Sequence, residues 1–212
     1  MTFTFLKRLA LACALVWMSL AASGTPGASA HWNPGDRGAP SAWRETVSRP
    51  APGVALIDQN GRPFSLSKQK GKAILLTFIF TSCPDLCPLI TAKMAGVAGR
   101  LGPEAPLHLV SITTDPEVDR PEVLLAYARR FAADSGKWSF LTGAKRVMEQ
   151  IWRAYGVSVA PISKGLVNHN YVLALIDANG VWRATYHGEN WDVRQVVEEL
   201  LRILPTPVAM ER

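Results

Sequence analysis

The segment 73–80 (AILLTFIF) restricts the fold of this chain most, because it is apolar apart from one threonine and shows no polar alternation. A strand with one solvated face alternates apolar and polar residues, whereas a strand covered on both faces does not. Helices are therefore expected on both sides of the sheet that contains this segment. The sequence predicts an α/β protein with 73–80 at the centre of its sheet.

Other strands and helices alternate along the chain on either side of this segment. In chain order the predicted elements are a hairpin (54–58 and 62–66), the strand 73–80, a helix (87–101), a strand (107–113), a helix (120–133), a strand (138–141), a helix (144–155), a loop up to 169, a hairpin (171–176 and 181–186) and a helix (193–204). This order indicates an α/β sandwich, and a cysteine pair after the central strand makes it resemble the thioredoxin fold. The N-terminal hairpin, and the inserted loop and hairpin before the last helix, are additions to that fold.

The helix 120–133 has a well-marked start. Asp119 is predicted to cap it, Pro121 suits its first turn, and Glu122 stands at the spacing of a capping box. Asp115 is likewise interpreted as a turn residue. Neither aspartate is assigned to a metal site.

The first thirty residues have the layout of an export signal. Lys7 and Arg8 precede an apolar run at 9–22, and small residues at 28–30 suit a cleavage site. We predict a cleaved signal at 1–30, with a retained N-terminal anchor as the alternative. The product is then exported. It is either released into the periplasm or tethered to the membrane with its folded domain facing the periplasm.

The remainder divides into a lead-in and one domain. Residues 31–52 are rich in proline, glycine and charge, so we predict a flexible lead-in there and a folded domain at 53–212. The net charge of +6 becomes +4 when Lys7 and Arg8 leave with the signal. No cluster of lysine, arginine and aromatic residues suggests binding to nucleic acid.

Cys83 and Cys87 stand directly after the central strand, and the third cysteine, Cys13, lies in the predicted signal. Such a pair can form a structural disulfide, exchange electrons or bind a soft metal ion. A disulfide that closes so short a loop contributes only about 2 kcal/mol in the chain-entropy model, which makes a purely stabilising role unattractive. Amide groups at the start of the following helix are expected to lower the pKa of both thiols.

A metal site would need a further ligand, since two thiolates leave it incomplete. Soft sulfur ligands favour Cu(I) or zinc, and one imidazole would complete a three-coordinate copper site. The candidates are His31, His108, His169 and His187. His169 has the best position, because it ends a loop just before a strand, where a rigid scaffold can present a ligand.

Four segments of the chain together resemble the Sco/SenC family. They are 81–88 (TSCPDLCP), 114–124 (TDPEVDRPEVL), 167–169 (VNH) and 175–180 (LIDANG). The resemblance implies a thioredoxin-like fold and one copper ion bound by Cys83, Cys87 and His169. It also favours a copper metallochaperone over an enzyme. Such a metallochaperone would assist assembly of the binuclear copper centre of cytochrome c oxidase.

The partner implied by the resemblance is cytochrome c oxidase subunit II or another copper-accepting protein, with an upstream copper donor. One departure is Asn168, because the family usually has an acidic residue before the histidine, which could orient the ring. Two alternatives stay open. The chain could be a thiol-disulfide oxidoreductase that reduces its partner through Cys83 and Cys87, or a binding module with a structural disulfide.

Overall fold

The computed structural model describes residues 42–133 and 136–205. The predicted signal at 1–30, and the first part of the predicted lead-in, lie outside the described residues. Within the described ranges, no helix is both long enough and apolar enough to cross a membrane.

One mixed sheet of eight strands forms the centre of the fold, in the order β1-β10-β9-β4-β5-β6-β2-β3. The strands are β1 (Ala42–Pro50), β2 (Ala55–Asp58), β3 (Pro63–Ser65), β4 (Ala73–Ile79), β5 (Leu107–Thr113), β6 (Trp138–Thr142), β9 (Val172–Ile176) and β10 (Val181–Gly188), with β7 (Val159–Ser163) and β8 (Leu166–His169) forming a separate hairpin. Every residue of β4 is buried, and this strand pairs with β5 in parallel and with β9 in antiparallel orientation. The prediction of a central strand covered on both faces is confirmed.

Helices cover both faces of this sheet. They are α1 (Leu86–Leu101), α2 (Pro121–Arg129), α3 (Lys145–Ala154) and α4 (Val193–Ile203), beside a short 3₁₀ helix at Leu66–Gln69. Leu75 and Ile79 of β4 share one apolar cluster with α1, α2 and α4, whereas Ile74 and Leu76 share the other with α3. Successive residues of a strand point to opposite faces, so one strand anchors both layers. The predicted α/β fold is confirmed, and so are the hairpins β2–β3 and β9–β10.

The predicted lead-in is wrong for its second half, because residues 42–50 form strand β1. This strand pairs antiparallel with β10, and Trp43 stands opposite His187. Arg49 also lies over the ring of Trp182, 4.8 Å from its centre. Pairing with a strand more than 130 residues away orders this segment, and no local pattern in the sequence reports such a partner.

A second difference concerns the predicted loop before His169, much of which is the hairpin β7–β8. Its register places Val159 opposite His169, and its turn passes through Gly165 at a φ of 77°. Most side chains of β7 are exposed, so the segment lacks the apolar alternation that identifies a strand.

Helix α2 is shorter than predicted and begins differently. It spans Pro121–Arg129, and Arg120, not Asp119, occupies the capping position without a side-chain hydrogen bond. The predicted capping box is therefore wrong. The side chain of Asp119 instead accepts hydrogen bonds from Thr81, in the segment that carries the cysteines.

Candidate metal centre

Two neighbouring strands bring the predicted site residues to one end of the sheet. Cys83 lies in the turn after β4, Cys87 is the second residue of α1, and His169 is the last residue of β8, just before β9. Because β4 and β9 are hydrogen-bonded neighbours, the segments at these ends meet. The fold thus gathers all three residues in one place.

His169 faces the sulfur of Cys87. Its Nε2 atom lies 4.0 Å from that sulfur, and its Nδ1 atom lies 3.0 Å from the backbone carbonyl oxygen of Asn170. A carbonyl oxygen only accepts hydrogen bonds, so Nδ1 must carry the proton. In the neutral ring the lone pair of Nε2 then points toward Cys87, which is the arrangement of a metal-binding imidazole.

Aromatic rings enclose the imidazole of His169, which is only 6% exposed. Phe80 meets it edge-on at 5.8 Å between ring centres, and Tyr171 lies at 4.9 Å. This burial lowers the pKa of His169 below its usual value, because the charged imidazolium loses its hydration. The ring is therefore neutral at neutral pH, which is the form that binds metals.

Cys83 supplies the reactive sulfur of the pair. Its sulfur accepts a hydrogen bond from the backbone N–H of Cys87 at 3.4 Å, whereas the side chain of Asp85, the residue before α1, caps nothing. Donation from the Cys87 thiol is the main cause that lowers the pKa of Cys83 to about 5, and backbone amides at the start of α1 add to it. Cys83 is thus a thiolate at neutral pH.

Cys87 behaves differently, although the sequence predicts a lowered pKa for both cysteines. Its thiol interacts with the neighbouring sulfur of Cys83, and it is fully buried. Both facts raise the pKa of Cys87, because its deprotonation would place two negative sulfurs side by side in a dry environment. The part of the prediction that concerns Cys87 is wrong. Both cysteines are free, so the pair consists of one thiolate and one thiol.

The spacing of these donors suits a single soft metal ion. A metal–sulfur bond of about 2.3 Å and a metal–nitrogen bond of about 2.0 Å can together span the 4.0 Å between Cys87 and His169. Within the described ranges, however, no three side chains of histidine, cysteine, aspartate or glutamate already stand as a complete metal cage. The sulfur of Cys83 would have to turn from the amide of Cys87 to become the third ligand.

The SCO1/SenC family model matches residues 51–205 of this chain. The chain belongs to the SCO1/SenC family. The matched range contains Cys83, Cys87 and His169 together with every described strand except β1.

The chain is also similar to individual proteins and solved structures. A Stutzerimonas stutzeri protein named for copper binding is 32% identical over 170 residues, which cover 77% of this chain and 79% of the relative. The crystal structure of a SCO1/SenC family lipoprotein from Bacillus anthracis has a TM-score of 0.69 at 28% identity and covers 76% of this chain and 98% of its own. The copper-bound crystal structure of ScoI from Arabidopsis thaliana has a TM-score of 0.65 at 26% identity. That match covers 73% of this chain and 97% of the Arabidopsis chain.

Within this SCO1/SenC site, Asn170 holds the histidine and Asn168 does not. The side chain of Asn170 accepts from the backbone N–H of Ser158 at 2.7 Å and donates to the carbonyl of Gly156 at 2.9 Å. The backbone carbonyl oxygen of Asn170 accepts the hydrogen bond from Nδ1 of His169. Asn168 is exposed and points to the opposite side of β8, so the hypothesis that this position orients the ring is wrong here. Sequence reasoning missed Asn170, since nothing local distinguishes it from a loop asparagine.

The other candidate histidines have different surroundings. His108 is buried beside Ser139, whose hydroxyl lies 2.9 Å from its Nε2 atom. His187 stacks on Trp43 at the edge of the sheet, with 3.9 Å between ring centres. His31 lies outside the described residues.

A cleft of about 810 Å³ lies between α3 and the hairpin β7–β8. Neither the cysteines nor His169 line it, so it does not coincide with the thiol site.

Proposed function

We propose that this protein is a copper metallochaperone whose single copper ion is held by Cys83, Cys87 and His169. Its acceptor would be the binuclear copper centre of cytochrome c oxidase, through subunit II or another copper-accepting protein. The observation that carries the proposal is the 4.0 Å approach of His169 Nε2 to the Cys87 sulfur, with Nδ1 held by a carbonyl. Membership of the SCO1/SenC family and the copper-bound Arabidopsis relative support the choice of metal.

The donor set favours copper over harder ions. Thiolate sulfur and imidazole nitrogen select Cu(I) and zinc against magnesium or calcium, and three ligands suit both oxidation states of copper. Cys83 is already ionised, whereas Cys87 has to lose its proton before its sulfur can bind. Loading at neutral pH should therefore release about one proton per chain.

Anaerobic titration of the reduced protein with Cu(I) tests the assignment. We expect one tight equivalent for the wild type and an affinity at least about tenfold lower for His169→Ala, a change of about 1.4 kcal/mol. Asn168→Ala is the matched control, because Asn168 precedes the ligand but faces away from it. Unchanged copper binding by His169→Ala would refute the ligand set.

The asymmetry of the two thiols favours a second candidate function, a thiol-disulfide oxidoreductase that reduces the cysteines of a copper-accepting partner. The Cys83 thiolate would attack the partner disulfide, forming a mixed disulfide and releasing one partner thiolate. Cys87, after losing its proton, would attack the sulfur of Cys83 and release the second partner thiolate. Two electrons pass to the partner, and this chain ends with a Cys83–Cys87 disulfide.

Variants separate the two functions. Cys87→Ser should accumulate the mixed disulfide through Cys83, since the resolving thiol is gone. His169→Ala should keep the reductase activity while it loses copper affinity. If His169→Ala lowers the reductase activity as much as it lowers copper affinity, this division of roles is contradicted.

We propose export to the periplasm, with membrane contact only through a retained N-terminal anchor. The support is the charged and apolar layout of residues 1–30. Mass spectrometry of the protein from the periplasmic fraction should find an N-terminus at His31. Recovery of the full-length chain in the membrane fraction would favour the anchor.

A further inference from the structure

We propose that Asp119 is a positioning residue, whose buried carboxylate fixes the segment that carries Cys83 and thereby sets the geometry of the metal ligands. This inference deepens the proposed function and rests on it. Asp119 has no place in the ligand set and does not cap α2. Its role follows from its hydrogen bonds.

Three hydroxyl and amide donors converge on the Asp119 carboxylate, which is fully buried. The backbone N–H of Thr81 donates to Oδ2 at 3.1 Å, and the Thr81 hydroxyl donates to Oδ1. The hydroxyl of Thr113 donates to Oδ2 at 2.5 Å. Both oxygens are therefore occupied, and each donor belongs either to the last residue of a central strand or to the second residue after one.

These donors connect the cysteine segment to the buried strands at the centre of the sheet. Thr113 is the last residue of β5, and Thr81 stands two residues after the end of β4. The backbone N–H of Thr114 also donates to the carbonyl of Ile79 at 2.7 Å, so the two strand ends are joined beside the carboxylate. Only Ser82 separates Thr81 from Cys83, which leaves the backbone of Cys83 little freedom once Thr81 is held.

Holding a turn with a buried charged group lowers the stability of the fold. Burial raises the pKa of Asp119, because the carboxylate loses its hydration, and the three donors only partly offset this cost. A helix start alone requires no buried charge, since an exposed side chain can cap it. The carboxylate is explained if accurate placement of the sulfurs matters more than stability, as it does at preorganised metal sites.

Two pairs of variants isolate this role. Thr81→Val removes the hydroxyl donor, whereas Thr81→Ser retains it. Asp119→Asn replaces one acceptor oxygen by a donor that faces other donors. Asp177→Asn is the control, because Asp177 is also a buried aspartate that accepts backbone N–H groups, at the end of β9 away from His169.

Each variant is measured in three ways: thermal unfolding, Cu(I) affinity against a competing chelator, and the dithiol-disulfide equilibrium of Cys83 and Cys87 with glutathione. We expect Asp119→Asn and Thr81→Val to weaken copper binding at least tenfold. The same variants should shift the glutathione equilibrium at least tenfold toward the disulfide, about 30 mV, since the fixed segment holds the sulfurs in their reduced arrangement. Thr81→Ser should stay within threefold of the wild type on both scales.

The control decides between positioning and general stability. Asp177→Asn should lower the unfolding temperature by a similar amount while both cysteine measurements stay within threefold of the wild type. The inference is overturned if Asp119→Asn and Thr81→Val match the wild type, or if Asp177→Asn shifts both measurements equally. If the wild type binds no copper tightly, the proposed function fails, and the glutathione equilibrium still decides the role of Asp119.

Discussion

The Nε2 atom of His169 lies 4.0 Å from the sulfur of Cys87, although 82 residues separate them in the chain. The pairing of β4 with β9 makes this approach possible, because the segments that carry the two residues meet at one end of those strands. Hydrogen bonds beside each residue then set its orientation. The site therefore combines a long-range strand pairing with short-range positioning contacts, and each can be tested by itself.

Removal of the Asn170 side chain should disturb His169 without touching any proposed ligand. Asn170→Ala leaves the N–H of Ser158 and the carbonyl of Gly156 without their partner. We expect a loss of about 1–2 kcal/mol in the free energy of unfolding and weaker copper binding. Chemical denaturation and Cu(I) competition measure the two effects. Asn168→Ala serves as the control, and equal results for the two variants would show that Asn170 has no special role.

The reactivity of Cys83 should follow the low pKa of its thiol. With a pKa of about 5, Cys83 should react with iodoacetamide at a rate that is nearly constant from about pH 6 to 8 and falls below about pH 5. Mass spectrometry after timed alkylation measures this rate. Because the Cys87 thiol is the main cause of the low pKa, Cys87→Ala should move the titration of Cys83 to higher pH.

Cys87→Ser provides the matched comparison for that experiment. A serine hydroxyl can still donate a hydrogen bond to the Cys83 sulfur, so the titration should move less than in Cys87→Ala. If both variants titrate as the wild type does, the amides of α1 alone stabilise the Cys83 thiolate. That result would contradict the role assigned to the Cys87 thiol.

Much of the fold could be predicted from the sequence because local patterns report it. The apolar segment of β4 and the predicted hairpin β2–β3 each reflect the burial or backbone conformation of those same residues. The pair Cys83 and Cys87 could be placed at the start of α1 for the same reason. In each case the information needed lies within a few residues of the feature itself.

The errors share a different origin, since each depends on contacts with distant residues. Strand β1 is ordered by β10, and the role of Asp119 depends on Thr81, 38 residues earlier. The raised pKa of Cys87 arises first from its interaction with the Cys83 sulfur and then from its burial. Spacing alone could place the two sulfurs at a helix start but could not show which of them the tertiary structure buries.

Strand β1 should contribute to stability although it lies before the range that the family model matches. A fragment that begins at residue 51 loses the pairing with β10, the packing of Arg49 on Trp182 and the ion pair between Arg44 and Glu199. We expect it to be less stable than a fragment that begins at residue 40 by at least about 2 kcal/mol, mainly through newly exposed apolar surface. Urea denaturation of both fragments measures the difference, and coincident curves would show that β1 is dispensable.

Acid should destabilise the protein partly through His108. Burial, with a smaller effect of the positive charge of Lys72, lowers the pKa of His108 from 6.5 to about 4. Below pH 6.5, His108 binds a proton in the unfolded chain but stays neutral in the folded chain. The folded state is therefore stabilised in full above pH 6.5, and this stabilisation declines as the pH falls toward about 4. This single group can cost at most about 1.4 kcal/mol for each pH unit in that window.

His108→Gln keeps a hydrogen-bonding side chain for Ser139 but cannot titrate. The free energy of unfolding, measured from pH 7.5 down to pH 4.5, should therefore fall less steeply in this variant than in the wild type. The offset between the two proteins at pH 7.5 accounts for effects of the substitution that do not involve protons, and only the change in that offset reports on His108. If the two curves run parallel over the whole range, another group causes the acid sensitivity, and the burial of a neutral His108 ring has no measurable part in it.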